Sequence, residues 1–143
     1  MGLNRMMFIK KTATSGGAVF TMTMGQQYYQ YYGYSRYNGN YGEVEGNVKY
    51  EGKTVTLVMV SYYGSYLDFA FNVEGVSGGK YNITLKVTSV ETGESIRVEF
   101  PDIQYQSYVP GFYEYTNTLP SNVSSMFTVA NVGKKFKVEI IFN

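Results

Sequence analysis

Two neighbouring runs decide how this chain folds. They are Lys53-Thr54-Val55-Thr56-Leu57-Val58-Met59-Val60-Ser61-Tyr62-Tyr63 and, after Gly64-Ser65, Tyr66-Leu67-Asp68-Phe69-Ala70-Phe71-Asn72-Val73. The second sets Leu67, Phe69, Phe71 and Val73 against Asp68, Ala70 and Asn72, the period-two pattern of a strand with one buried face. The first starts the same way, Thr54 and Thr56 alternating with Val55 and Leu57. Val58-Met59-Val60 is then apolar on both faces, which predicts a central strand or one covered on both sides. Gly64-Ser65 is the turn between them. Composition agrees: Val, Thr and Tyr supply 44 of the 143 residues, Ala and Leu only 9. β-branched and aromatic side chains suit a pleated sheet, so a helical bundle is excluded.

The same rhythm continues on either side. Upstream, Val19–Met24 predicts a strand that buries Phe20, Met22 and Met24, and Val44–Tyr50 predicts another, closed by a Glu51-Gly52 turn. Downstream, Tyr81–Val90 turns at Glu91-Thr92-Gly93-Glu94 into Ile96–Phe100, which Pro101 is expected to end for want of an amide donor. Residues 101–125 are too long for a bare loop and predict one hidden strand, Phe112–Thr116. Met126–Val132 and Phe136–Phe142 predict a last hairpin across Gly133-Lys134-Lys135. About eight short strands at roughly ten-residue spacing predict one all-β domain, a single antiparallel β-sandwich, Ig-like or jelly-roll-like. The sandwich covers residues 19–143, including a Tyr/Gly-rich segment at 25–42. Residues 1–18 read as an extended N-terminal arm.

Several chemistries are excluded or disfavoured by residue type. The chain has no His, Cys or Trp, so imidazole bases, thiolate nucleophiles and zinc–thiolate sites are absent. No Asp-x-Asp spacing of the calcium-loop kind occurs, and the glycines follow no nucleotide-binding pattern. No cofactor or metal is expected. Glu114 and Asp102 are the carboxylates that share a long connection, but eleven acids make any pair weak evidence for a glycosidase, and the chain is expected not to be an enzyme. The net charge is +1, with Arg5, Lys10, Lys11 and Arg36 and no acid in residues 1–42, and 8 basic against 11 acidic residues thereafter. Four cations fall short of the roughly six or more that phosphate-backbone binding normally uses, so nucleic acid is not an expected partner. No run reaches the ~20 apolar residues of a membrane helix, and Met6-Met7-Phe8-Ile9 is too short for a signal-peptide core. Synthesis in a cytoplasm without classical export is the expectation.

Two features point to contact with other molecules. The first is the tyrosine content. Tyr28, Tyr29, Tyr31, Tyr32, Tyr34, Tyr37 and Tyr41 crowd one segment, and Tyr62, Tyr63 and Tyr66 flank the turn at Gly64. A phenol ring covers apolar area and hydrogen-bonds at small rotamer cost, so such a surface grips proteins or the apolar faces of sugars. Tyr105, Tyr108, Tyr113 and Tyr115 extend the set. The bland alternative is that these rings pack inside or along edges. The second feature is the arm, whose Met6, Met7, Phe8 and Ile9 would fill a neighbour's groove or join an open sheet edge.

From the Tyr31-Tyr32-Gly33-Tyr34 start, through the paired Tyr62-Tyr63 and the alternating Leu67 to Val73 strand, to the closing Gly133 to Ile141 strand, the chain resembles small β-sandwich modules in virion proteins of tailed bacteriophages. The resemblance spans residues 31–141. It implies a decoration, fibre or tail-tip part, located in the virion and carrying no catalytic residues. The expected function is a non-enzymatic structural protein of a virus particle. It would be anchored by its arm, present in many copies or as a homo-oligomer, and in contact with other virion proteins through tyrosine-rich surfaces. The alternative is an adhesion module whose partner is a glycan.

Overall fold

A computed structural model describes residues 17–25, 30–31, 34–35, 37–38, 48–63, 66–76, 78–107 and 111–143. Over these residues the chain is a two-sheet antiparallel sandwich. The longer strands are β1 (Ala18–Thr23), β6 (Lys53–Tyr63), β7 (Tyr66–Glu74), β8 (Lys80–Ser89), β9 (Ser95–Gln104), β10 (Gly111–Thr116) and β11 (Lys135–Phe142). Four short ones are β2 (Gln30–Tyr31), β3 (Tyr34–Ser35), β4 (Tyr37–Asn38) and β5 (Val48–Tyr50). The first sheet has the order β1-β11-β8-β9. The second runs β10-β7-β6, and β4 and β5 share the far side of β6. β2 and β3 form a separate two-stranded ribbon.

The buried faces follow the sequence alternation. Phe20, Met22, Leu85, Val87, Ile96, Val98, Val138 and Ile140 from the first sheet meet Val55, Leu57, Leu67, Phe69, Phe71 and Phe112 from the second. Aromatic rings lock the layers together: Phe69 meets Phe100 with centroids 4.4 Å apart, and Tyr81 meets Phe112 at 5.4 Å. Edge-on ring pairs of this kind add to area burial. The Glu51-Gly52 turn holds, with φ of 47° and 75°. Positive φ at both central residues is what a tight hairpin turn requires.

Three expectations are corrected. First, β6 is central in its sheet, as expected, with β7 on one side and β4 and β5 on the other, but the apolar run Val58-Met59-Val60 has a second cause. Leu57 pairs Phe71 while Met59 pairs Ala70, so Val58 is an extra residue, a β-bulge. The buried phase moves from Val55 and Leu57 to Val60, as a bulge demands. Second, β9 does not stop at Pro101. It runs on to Gln104, with Pro101 and Asp102 set against Asn82 alone, and the Asp102 amide donates to Asn82 Oδ1 at 2.9 Å. β9 is an outer strand, where a proline costs no ladder bond. Third, Met126–Val132 is not a strand. Val123–Met126 is one helical turn, α1, followed by a 3₁₀ turn at Val129–Asn131. Val123, Met126 and Phe127 are all buried, a helical i, i+3, i+4 spacing. Asn131 Nδ2 donates to the Met126 carbonyl at 2.7 Å. β11 therefore pairs with β1 and β8 rather than with a neighbouring hairpin arm.

Of the expected arm, residues 1–16 lie outside the described residues. Gly17 is already tied to the body through its amide, which donates to Glu139 Oε1 at 2.8 Å. Of Val44–Tyr50, Val48–Tyr50 is strand and residues 44–47 lie outside the described ones. Among the described residues no helix is long and apolar enough to cross a membrane.

Candidate functional site: a tyrosine-bearing sheet face

The outer side of the five-stranded sheet gathers the tyrosines that the strands place in register. β7 presents Tyr66, Asp68 and Ala70 there, because Leu67, Phe69 and Phe71 take the core side. β10 sets Tyr113 opposite Ala70 and Tyr115 opposite Asp68. Tyr66 and Tyr115 meet edge to face, with centroids 5.6 Å apart and planes at 65°. Tyr113 and Tyr115 are 41% and 54% exposed. Neither β7 nor β10 carries a basic residue.

Beneath these rings lies a polar centre that belongs to neither core nor solvent. Ser61 and Asp68 face each other across β6 and β7, and both are fully buried. Ser61 donates its hydroxyl proton to Asp68 Oδ1 at 2.7 Å, and Tyr113 donates to Asp68 Oδ2 at 3.4 Å. Buried oxygens demand such donors. The carboxyl group cannot reach a solution ligand directly. Its geometry props the Tyr113 ring, fixing an aromatic platform whose outer surface is open.

The expected contact residues fall in three groups. Met6, Met7, Phe8, Ile9, Tyr28, Tyr29, Tyr32 and Tyr41 lie outside the described residues. Tyr31 and Tyr34 pair across β2 and β3, Tyr37 pairs with Tyr62 at the edge of the larger sheet, and Tyr63 pairs with Tyr66 beside the turn. Tyr62 is half-buried, its ring 6.1 Å from Phe127, whereas Tyr66 joins the open platform. Ser61 and Asp68 were not singled out from sequence. The signal was present: a two-residue turn at Gly64-Ser65 forces Tyr63 against Tyr66 and hence Ser61 against Asp68.

Acid–base constellations are sparse. Asp102 and Glu114 stand on different sheets. Among the described residues no group of three or more acids converges as a metal site would. A groove of about 370 Å³ at the β8–β9 bulge is lined by Asn82, Ile83, Glu99, Phe100, Pro101 and Asn143. The ion pairs Arg97–Glu99 at 3.7 Å and Lys134–Glu91 at 3.1 Å are both solvent-exposed, and such pairs add little stability. Comparisons with protein families, with curated proteins and with solved structures find no match to this chain.

Proposed function

We propose that this chain is a non-enzymatic structural protein that works by permanent contact in a multi-copy assembly of the kind a virus particle builds. The tyrosine platform of β7 and β10 engages a partner protein, and the N-terminal segment, through Met6, Met7, Phe8 and Ile9, anchors the sandwich. The observation that carries this is the exposed rings of Tyr113 and Tyr115, with Tyr66 edge-on against Tyr115, on two strands that carry no basic residue. Tyrosine is enriched and Lys, Glu and Asp are depleted where proteins meet for long times. Rings held from below lose little entropy when covered.

The test is particle association. The full chain, expressed in cells that produce the assembly, is expected to sediment with released particles in a density gradient. The double variant Tyr113→Ala, Tyr115→Ala is expected to stay in the soluble fraction while keeping the parent's far-UV circular dichroism spectrum, because both rings are exposed and stand outside the shared core. A chain found only as soluble protein, with tyrosine fluorescence that shifts on adding soluble glycans, overturns this in favour of an adhesion module.

A further inference from the structure

The outer side of the first sheet sorts its charges. Residues 43–143 hold 8 basic and 11 acidic residues, yet four of those eight cations, Lys86, Arg97, Lys135 and Lys137, stand on this one side. Alternation puts them there, because Leu85, Val87, Ile96, Val98, Phe136 and Val138 between them fill the core. Register then joins them. Lys135 and Lys137 are two apart on β11, so ~7 Å separates them. Lys137 faces Thr88, which makes Lys86 its diagonal neighbour on β8, again at ~7 Å. Lys86 lies directly opposite Arg97 of β9, at ~5 Å. The four cations form one continuous line across three strands, roughly 15–20 Å long.

The sheet does little to neutralise this line. Among the described residues Lys86, Lys135 and Lys137 make no ion pair. Two acids share the outer side near them, and both are turned aside. Glu139, beside Lys86, accepts from the Gly17 amide at 2.8 Å, toward β1. Glu99 holds Arg97 at 3.7 Å from the far end, and both side chains are more than half exposed, so water screens the pair. Lys86 opposite Arg97 is a like-charge pair that costs stability, a cost that a bound anion removes. Thr21, Thr88 and Ser95 lie in one row with Lys137 and add hydroxyl groups beside the cations.

We propose that this line binds an anionic polysaccharide, an extended chain that repeats carboxylate or sulfate groups along its length. Its acid groups meet Lys135, Lys137, Lys86 and Arg97 in turn, and its hydroxyls meet Thr21, Thr88 and Ser95. Cations strung along a flat sheet suit a repeating, extended anion better than a compact one. A single-stranded nucleic acid would stack its bases on exposed rings, and the outward positions of β1, β8, β9 and β11 carry no aromatic side chain. Four cations also fall short of the roughly six or more that a phosphate backbone normally engages. This surface is on the other sheet from the tyrosine platform, carries no tyrosine and stands without it.

Isothermal titration of the full chain with heparin fragments, which carry both sulfate and carboxylate, tests this. Binding is expected at about 50 mM salt and should weaken steadily as salt rises. Lys86→Gln with Lys137→Gln should keep the far-UV spectrum, lower the affinity by roughly tenfold and make the salt dependence shallower. Lys53→Gln with Lys80→Gln removes the same charge away from the line, one residue on the second sheet and the other at the far end of β8. That pair should leave the affinity within about twofold of the parent. Tyr113→Ala with Tyr115→Ala should not change it. Four outcomes would each overturn the proposal: no binding at about 50 mM salt, an equal loss in both lysine pairs, oligothymidylate or polyglutamate bound as tightly as heparin, or a loss with the tyrosines.

Discussion

Ser61 and Asp68 place a hydroxyl and a carboxyl group on the outer side of a sheet and yet out of reach of water. A buried oxygen pair of this kind is stable only when each member satisfies the other. Ser61→Ala leaves Asp68 Oδ1 without its 2.7 Å donor and is expected to cost about 1.5 to 3 kcal/mol, because hydrogen bonds to carboxylates are the stronger ones. Asp68→Ala removes the acceptor of Ser61 and also the Tyr113 contact at 3.4 Å. The two substitutions together should cost less than their sum, since the second no longer breaks a bond the first has already removed. Urea denaturation of the four proteins in that cycle measures the coupling. Additive costs would mean that the two groups do not depend on each other. Tyr113 is the reporter: with Asp68 gone its ring loses its prop, so the proposed particle association should weaken more than for Ser61→Ala.

Among the elements, what was legible and what was not divides on a physical line. β7, β8 and β11 are legible from alternation because apolar side chains take the core side of each and polar or small ones the outer side, even where Asp68 and Thr84 on that outer side are themselves buried. The bulge in β6 was not read, although its mark was there. Three apolar residues in a row, Val58-Met59-Val60, fit a strand that changes phase as well as they fit one covered on both sides. Met126–Val132 reads as a strand by residue type, yet Met126 and Phe127, adjacent and both buried, suit a turn of helix and not a strand with one buried face. Pro101 does not end β9, because a proline forbids a central strand but not an outer one. The tyrosine platform was half legible. Tyr66 stood out by its place beside the turn, whereas Tyr113 and Tyr115 needed the pairing of β10 with β7 before they shared a face with it. The bulge carries its own prediction. Deleting Val58 restores one-to-one pairing of β6 with β7 and still leaves Leu57, Val60 and Tyr62 on the core side. That variant should fold and melt within about 5 °C of the parent. Deleting Val87 from the regular run of β8 shifts the strand by one residue and drives Lys86 or Thr88 into the core, so it should yield no folded protein. Circular dichroism on the two deletion variants decides it; equal behaviour would mean the register change at Val58 has no structural role.

At the scale of the molecule, the order of strands sets how the chain must fold. β1 is at the start of the described body and β11 at its end, and the two are hydrogen-bonded neighbours. The first sheet therefore cannot close until nearly the whole chain is in hand. The layers share one core, because Phe69 of the second sheet lies on Phe100 of the first and Phe71 touches Phe142. Neither sheet hides its apolar side without the other. One core and distant partners together predict a single cooperative transition and slow refolding, in the millisecond-to-second range usual for sandwiches dominated by non-local pairing. Stopped-flow refolding of the full chain, followed by tyrosine fluorescence and by far-UV circular dichroism, should give one exponential with the same rate for both probes. Phe69→Ala should lose roughly 3 to 5 kcal/mol without separating the probes, since its ring belongs to both layers at once. Two distinct transitions, one for each sheet, would contradict the shared core.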